Sequence, residues 1–297
     1  MVLLVAKINK LYSKLENFQS SETLSASLEA FLSDVSNGLS KLSSSGSETI
    51  MSFSWIQQRF ELISMTNKAF AKLVVAIDHP LSKWGASSVE EYLSYTLNLL
   101  ELFNSITASL SHLGQARLLL SYGLRLEENS PDLALKYLKA IQSMSLKKEF
   151  RRREREEREK GSCSSKEEVI HKAVMVMESL GFWVCGVVLS CLCGGDNSKE
   201  YGEMRKFGGG FLEASFGGLD SSTFELKEVK EVNHSVACLE AAIIGNGERN
   251  GEAEEFRRRL EVLEKVLEGF ENEVDSLFHE VLRGRNLLLN GFQQRKE

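Results

Sequence analysis

Proline is almost missing from this chain: Pro80 and Pro131 are the two in 297 residues. Proline removes a backbone donor and its ring clashes with the preceding helical turn, so its scarcity leaves nearly the whole length free for helix. The amino terminus lacks the ordered charged, apolar and small-residue regions of a secretory signal. Arginine is missing there too: Met1 to Glu48 is serine-rich but carries Glu16, Glu22, Glu29 and Asp34 and no arginine. A transit peptide is arginine-rich and poor in acids, so plastid or mitochondrial targeting by cleavage is not expected. The net charge of -6 is too small to create a global field for nucleic acid or an anionic membrane. Five cysteines, an odd set without a secretory signal, point to reduced thiols and a cytoplasmic compartment.

Catalytic patterns are missing as well. The glycine-rich stretch from Phe207 to Gly218 has no Gly-Lys-Ser/Thr ending, and no alternation of strand and helix surrounds it, which excludes a P-loop and a dinucleotide fold. His79, His112, His171, His234 and His279 are scattered, with no HExxH pair and no nucleophile motif beside them. Cys185, Cys191 and Cys193 are close in sequence, with His171 as a lone additional candidate ligand. Tetrahedral zinc needs four ligands, and no second Cys/His pair stands at a usable spacing. No catalytic, cofactor-binding or metal residue is therefore expected, and no cofactor.

What remains is helical spacing. Leu4, Ile8, Leu11, Leu15 and Phe18 form one stripe at the start of the chain. Ser54 with Gln57 reads as a capping box, followed by Ile56, Phe60, Ile63, Phe70, Val74 and Ile77 at helical steps until Pro80 ends the helix. Ser87 with Glu90 opens a long amphipathic helix through Val89, Leu93, Leu100, Phe103, Leu110 and Leu113 to about Glu128. Pro131 suits a first helical position, so Leu133 to Met144 is predicted as a further helix. Lys147 to Lys160 reads KKEFRRREREEREK, with Arg153/Glu157 and Glu154/Arg158 among pairs one turn apart. Residues 147–164 are read as a charged linker or solvated helix extension, with a basic interaction patch as the alternative.

Ser165 with Glu168 starts the most apolar segment, Val174 to Cys193. Its uncharged run is at the short edge of what crosses hydrocarbon. Two readings stand: a central buried helix, or a membrane-associated one in which Phe182 and Trp183 contact lipid and Cys191 and Cys193 are acylated. Residues 194–221 contain eight glycines between Gly194 and Asp220 and read as a flexible insertion. Ser222 with Glu225 restarts helix through Ile244. Phe256, Leu260, Leu263, Leu267, Phe270, Val274, Leu277, Val281 and Leu288 then form a heptad stripe. The similar stripe from Val89 to Leu113 offers a neighbour within the chain, which favours intramolecular packing and a monomer over a coiled-coil dimer. The expected fold is all-α: one elongated antiparallel helical bundle spanning residues 1–297.

At Ser54-Trp55, Pro80-Leu81-Ser82-Lys83-Trp84, Glu91-Tyr92-Leu93, Glu273-Val274-Asp275 and Arg283-Gly284-Arg285 the chain resembles the plant BYPASS-related family. The likeness runs roughly from Leu3 to Phe292 and is clearest from Phe53 to Gln142 and in the final helix. The resemblance implies a non-enzymatic regulator of root and shoot development, of the kind that restrains a root-derived mobile growth-arrest signal. It also implies protein partners, exocyst-related ones among them, and marks no residues as their surface. Beside it stand two alternatives: membrane anchoring through 179–193, and an enzyme acting on a small apolar signal precursor inside the bundle.

Overall fold

The computed structural model describes residues 22–42, 51–142, 164–194, 225–245, 247 and 249–293. The stripe at Leu4 to Phe18, most of the charged segment 147–164, nearly all of the glycine-rich insertion 194–221 and the Ser222 start signal lie outside these residues. Helix α1 covers residues 22–42. It is followed by α2 (Phe53–Ala76), a 3-10 turn (Leu81–Lys83), α3 (Ala86–Leu126), α4 (Pro131–Ala134), α5 (Ser165–Cys193), α6 (Lys227–Ile244) and α7 (Asn250–Gln293). Among the described residues there is no strand, and the fold is the all-α bundle expected from the spacing.

Local chemistry explains where the helices begin. Ser52 accepts from the Trp55 amide at 3.2 Å and caps α2, two residues before the expected Ser54. Ser164 accepts from the Glu167 amide at 3.3 Å and caps α5, one residue before the expected Ser165. Gly85, not Ser87, is the cap residue of α3, and it brings no side chain of its own. The helix predicted for Leu133 to Met144 is one turn, Pro131–Ala134. Beyond it the chain follows an irregular path that buries Leu138 and Ile141. The reason is packing: a Cβ on Gly123 would lie 3.1 Å from Leu138 Cγ, so α3 and this strand of chain approach closely. Asn233 Oδ1 accepts from the Ile141 amide at 2.7 Å, which holds the segment against α6.

The long pair α3 and α7 is the spine, each about 60 Å at 1.5 Å per residue. They run antiparallel: Arg285 donates to the Leu93 carbonyl at one end, and Arg117 pairs with Glu264 at 3.0 Å towards the other. The heptad stripe of α7 therefore packs within the chain, from Phe256 to Leu288, against α3, α2 and α6. Helices α2 and α5 close a four-cornered arrangement in which α5 touches α2 and α3, and α7 touches α2 and α3. Neighbour direction alternates around it. Gln57 meets Glu273 at 3.0 Å and Ser64 meets Glu280 at 3.4 Å, so α2 and α7 are parallel. His171 meets Glu91 at 2.8 Å and Ser109 meets Cys193 at 3.8 Å, so α3 and α5 are parallel too. Within this frame Phe60 contacts Phe270 (5.3 Å between centroids) and Phe103 (5.5 Å), both edge-on, joining three helices at one point.

Candidate functional site

The richest polar chemistry lies at the end of the bundle where α2 turns into α3. Asp78 takes φ 45, a left-handed conformation that a short polar side chain tolerates, and the chain then runs extended through Pro80. The turn delivers Trp84 into the core, 2% exposed, where its indole N–H donates to the His79 carbonyl at 3.0 Å. Phe70 and Tyr92 contact the same ring, at 6.0 and 5.7 Å between centroids. Burial pushes the Tyr92 hydroxyl up to about 12, with the nearby Glu280 charge adding to it.

Glu167, the third residue of α5, reaches into this turn. One carboxylate oxygen lies 2.8 Å from His79 Nε2 and accepts from the Gly85 amide at 2.9 Å; the other accepts from the Ser88 hydroxyl. Desolvation pushes this carboxyl up, but the hydrogen bonds from Ser88, His79 and Gly85 outweigh it and hold the pKa below the usual carboxylate value. Ser, His and Glu thus meet, but the order is wrong for nucleophilic catalysis. A serine nucleophile needs the imidazole between hydroxyl and carboxylate, whereas here the carboxylate sits between them as a shared acceptor. What the arrangement does chemically is fix backbone: Glu167 completes the amino terminus of α3, where Gly85 brings no side-chain cap.

Two of the other family-like motifs, Glu91-Tyr92-Leu93 and Arg283-Gly284-Arg285, meet at this end. Gly284 lets α7 approach, since a Cβ there would lie 3.2 Å from the Tyr92 hydroxyl. Arg285 donates to the Leu93 carbonyl and to Thr96 Oγ1 at 3.2 Å. Glu273, about three turns earlier on α7, lies by the start of α2 instead and accepts from Gln57; desolvation and the nearby Glu61 push its carboxyl above the usual value. Sequence spacing gave no sign of the Glu167 cluster, because its members belong to three elements. The serine-rich start of α3 was the one visible hint.

The residues singled out for membrane contact or acylation lie in the core. Phe182 is 1% exposed, Trp183 5%, Cys191 2% and Cys193 0%. Cys191 Sγ sits 3.4 Å from Met51 Sδ, and Cys193 faces Ser109. Helix α5 is nevertheless long and apolar enough to cross a membrane by length and composition. Among the described residues no group of three or more His, Cys, Asp or Glu side chains is placed to hold a metal. Cys185, Cys191 and Cys193 are separate buried thiols, and His171 is engaged with Glu91.

The curated "Protein BPS1, chloroplastic" of Arabidopsis thaliana is 32% identical over 105 residues, 35% of this chain and 30% of that protein. "UPF0496 protein 4" of Oryza sativa subsp. indica is 28% identical over 105 residues, 34% of this chain and 23% of that protein. The chain thus matches less than a third of the length of these relatives. The word chloroplastic in the first name does not fit the expectation, drawn from the amino-terminal sequence, that plastid targeting is absent. No solved structure matches the chain. The family model described as "Protein BPS1" matches residues 76–290, from the end of α2 through nearly all of α7, and the chain belongs to that family.

Proposed function

We propose that the chain is a non-enzymatic regulator that works through protein contacts. Membership of the family supports a role in plant developmental regulation. The observation that carries the mechanistic half is how the polar side chains at the α2–α3 turn, and those of two motifs beside it, are used. His79, Ser88 and Glu167 satisfy one another, Trp84 bonds the backbone, and Arg285 binds a carbonyl on α3. These groups are spent on holding helices together, which suits a scaffold. Apolar side chains stand out on α3 at Leu118 (58% exposed), Leu119 (55%) and Tyr122 (47%), the kind of surface that binds protein. The finer reading is an adaptor that restrains a root-derived mobile signal, with exocyst-related proteins as the first partners to test.

Proximity labelling in plant cells from a fusion of the full chain is expected to enrich a reproducible set of proteins over a free-label control. Labelling indistinguishable from that control, together with metabolite turnover by the purified chain, would replace this reading with the enzymatic one.

A second reading, membrane association through 179–193, is favoured by the apolar length of α5. Fractionation tests it: recovery entirely in the soluble pool, unchanged by Cys191→Ser and Cys193→Ser, removes it. The relative's name makes plastid import a question for the same cells, answered by the compartment of a carboxy-terminal fluorescent fusion.

A further inference from the structure

Helix α3 carries two rows of side chains at helical spacing. The inner row, Leu99, Phe103, Ile106, Leu110 and Leu113, is buried in the bundle. The outer row steps by three and four from Glu101 through Ala108 and Gln115 to Arg125, and every member is exposed. Such spacing is the seam along which one helix packs on another. Among the described residues no helix of the bundle lies along it. On its margin, a Cβ added to Gly114 would meet nothing within 4 Å.

This face also lacks the charge that a solvated helix carries. Between Leu102 and Leu124 the one Lys, Arg, Asp or Glu is Arg117, in a chain where such residues make up 26%. Arg117 is turned away from the row, to Glu264 of α7 at 3.0 Å. Exposed on the row or beside it are Leu118, Leu119 and Tyr122. Apolar and aromatic side chains in a charge-depleted setting mark the middle of a protein interface.

The order of the row selects the occupant. Small side chains precede its middle, at Ala108 and Ser111, and large ones follow, at Leu118 and Tyr122; an acid, Glu101, stands at one end and a base, Arg125, at the other. From Glu101 to Arg125 the steps of three and four are the same in both directions. An identical row laid antiparallel, with a two-fold axis between Ser111 and Gln115, therefore matches it member for member. Glu101 faces Arg125, Asn104 faces the Tyr122 hydroxyl, Ala108 faces Leu118, and Ser111 faces Gln115. Each acid meets a base, and each large side chain meets a small or polar one. A parallel pair would instead set Glu101 on Glu101 and Arg125 on Arg125, where like charges repel.

We propose that the outer face of α3 is a self-association surface, on which a second copy of this chain docks antiparallel in that register. The heptad stripe of α7 takes no part, since it is buried within each chain. One helix from each copy, in contact over about 36 Å, makes a small interface of the kind that forms transient pairs. This deepens the protein-contact reading by assigning a second copy to its exposed apolar surface, and rests on it.

Sedimentation equilibrium of the full-length chain from about 1 to 100 μM should show a 33.3 kDa monomer passing into a dimer. Glu101→Arg alone, or Arg125→Glu alone, should weaken the dimer at least about fivefold. Leu118→Asp should abolish it. Glu101→Arg and Arg125→Glu together should restore it, because the two charges trade places across the axis. All three positions are exposed, so circular dichroism should show the same helicity in every variant. A chain that stays monomeric over this range, a dimer indifferent to the single reversals, or one that the double exchange fails to restore overturns the antiparallel pair. A monomeric chain that still labels a reproducible set of proteins would leave the protein-contact reading standing, and that reading falls separately, by its own labelling result.

Discussion

The Gly85 amide donates to Glu167 Oε1 across 2.9 Å, so that a residue on α5 caps the amino terminus of α3, 82 positions earlier in the chain. The start of α2 is treated the same way, by Glu228 of α6 on the Phe53 amide. Each helix that re-enters the bundle after a long intervening segment thus carries, in its first turn, an acid that completes an earlier helix. A carboxylate at a helix amino terminus satisfies an orphan donor and favours the local dipole, which makes such a contact both a cap and a register mark.

Replacing Glu167 by Gln should destabilise the chain by about 1.5–3 kcal/mol, the range for hydrogen bonds to a charged group. Its folded pKa is lowered, so the contribution is complete above the carboxyl's unfolded pKa and fades as pH falls through the lower folded value. Urea unfolding of both proteins at neutral pH and at about pH 3 checks this. The gap between them should shrink in acid, and a gap that held constant would show that the carboxylate charge is not what binds the cluster.

Glu273 should behave in the opposite sense. Burial and Glu61 raise its folded pKa, so ionising it opposes folding, and stability falls as pH rises from the unfolded value through the folded one. Glu273→Gln is expected to gain a few tenths of a kcal/mol at neutral pH, after allowance for solvent screening. The gain should vanish in acid, as read from urea midpoints at the two pH values.

Phe60→Ala removes the ring shared by Phe103 and Phe270 and should cost about 3–5 kcal/mol. Thermal unfolding followed by circular dichroism gives the number. A loss below about 1 kcal/mol would mean that the three helices meet less tightly than these ring distances require.

The two long intervening segments should respond differently to shortening. Because α3 and α5 are parallel, the chain leaves the bundle near Gly123 and must re-enter opposite Gly85, some 55 Å away along α3. A six-residue linker in place of 143–163 reaches only about 25 Å and should abolish the native fold. A six-residue linker in place of 195–224 should leave the remaining bundle folded and its melting temperature nearly unchanged, since both sides of that segment already meet at Met51. Far-ultraviolet circular dichroism of the two variants distinguishes them directly.

The apolar stripes were legible in the sequence because side-chain spacing reports which face of a helix is buried. The partnership of Val89 to Leu113 with the final helix followed from that. Direction was not legible: a stripe is the same read up or down, so the parallel pairs α2 with α7 and α3 with α5 emerge only from contacts such as Gln57 with Glu273. Caps were displaced by one or two residues, since several serines stand near each start and local sequence does not rank them. Gly85 has no capping side chain at all, and its partner Glu167 is remote. The expected helix after Pro131 stops early because Leu138 and Ile141 are drawn into the crevice beside Gly123 and Asn233. The apolar helix α5 was readable as apolar, while its place between α2 and α3 depended on partners that no local pattern names.

The meeting of Cys191 and Lys227 at Met51 bears on how the molecule can be assembled from parts. A chain cut between Gly194 and Glu225 yields a piece carrying α1 to α5 and a piece carrying α6 and α7, with Cys191 of the first and Lys227 of the second both seated at Met51. The smaller piece brings the Phe270 ring to Phe60 and the Arg285 guanidinium to Leu93, while the larger piece brings the receiving surface. Co-expressed, the two should rejoin without a covalent link, which makes this position a natural place to split a reporter across the fold.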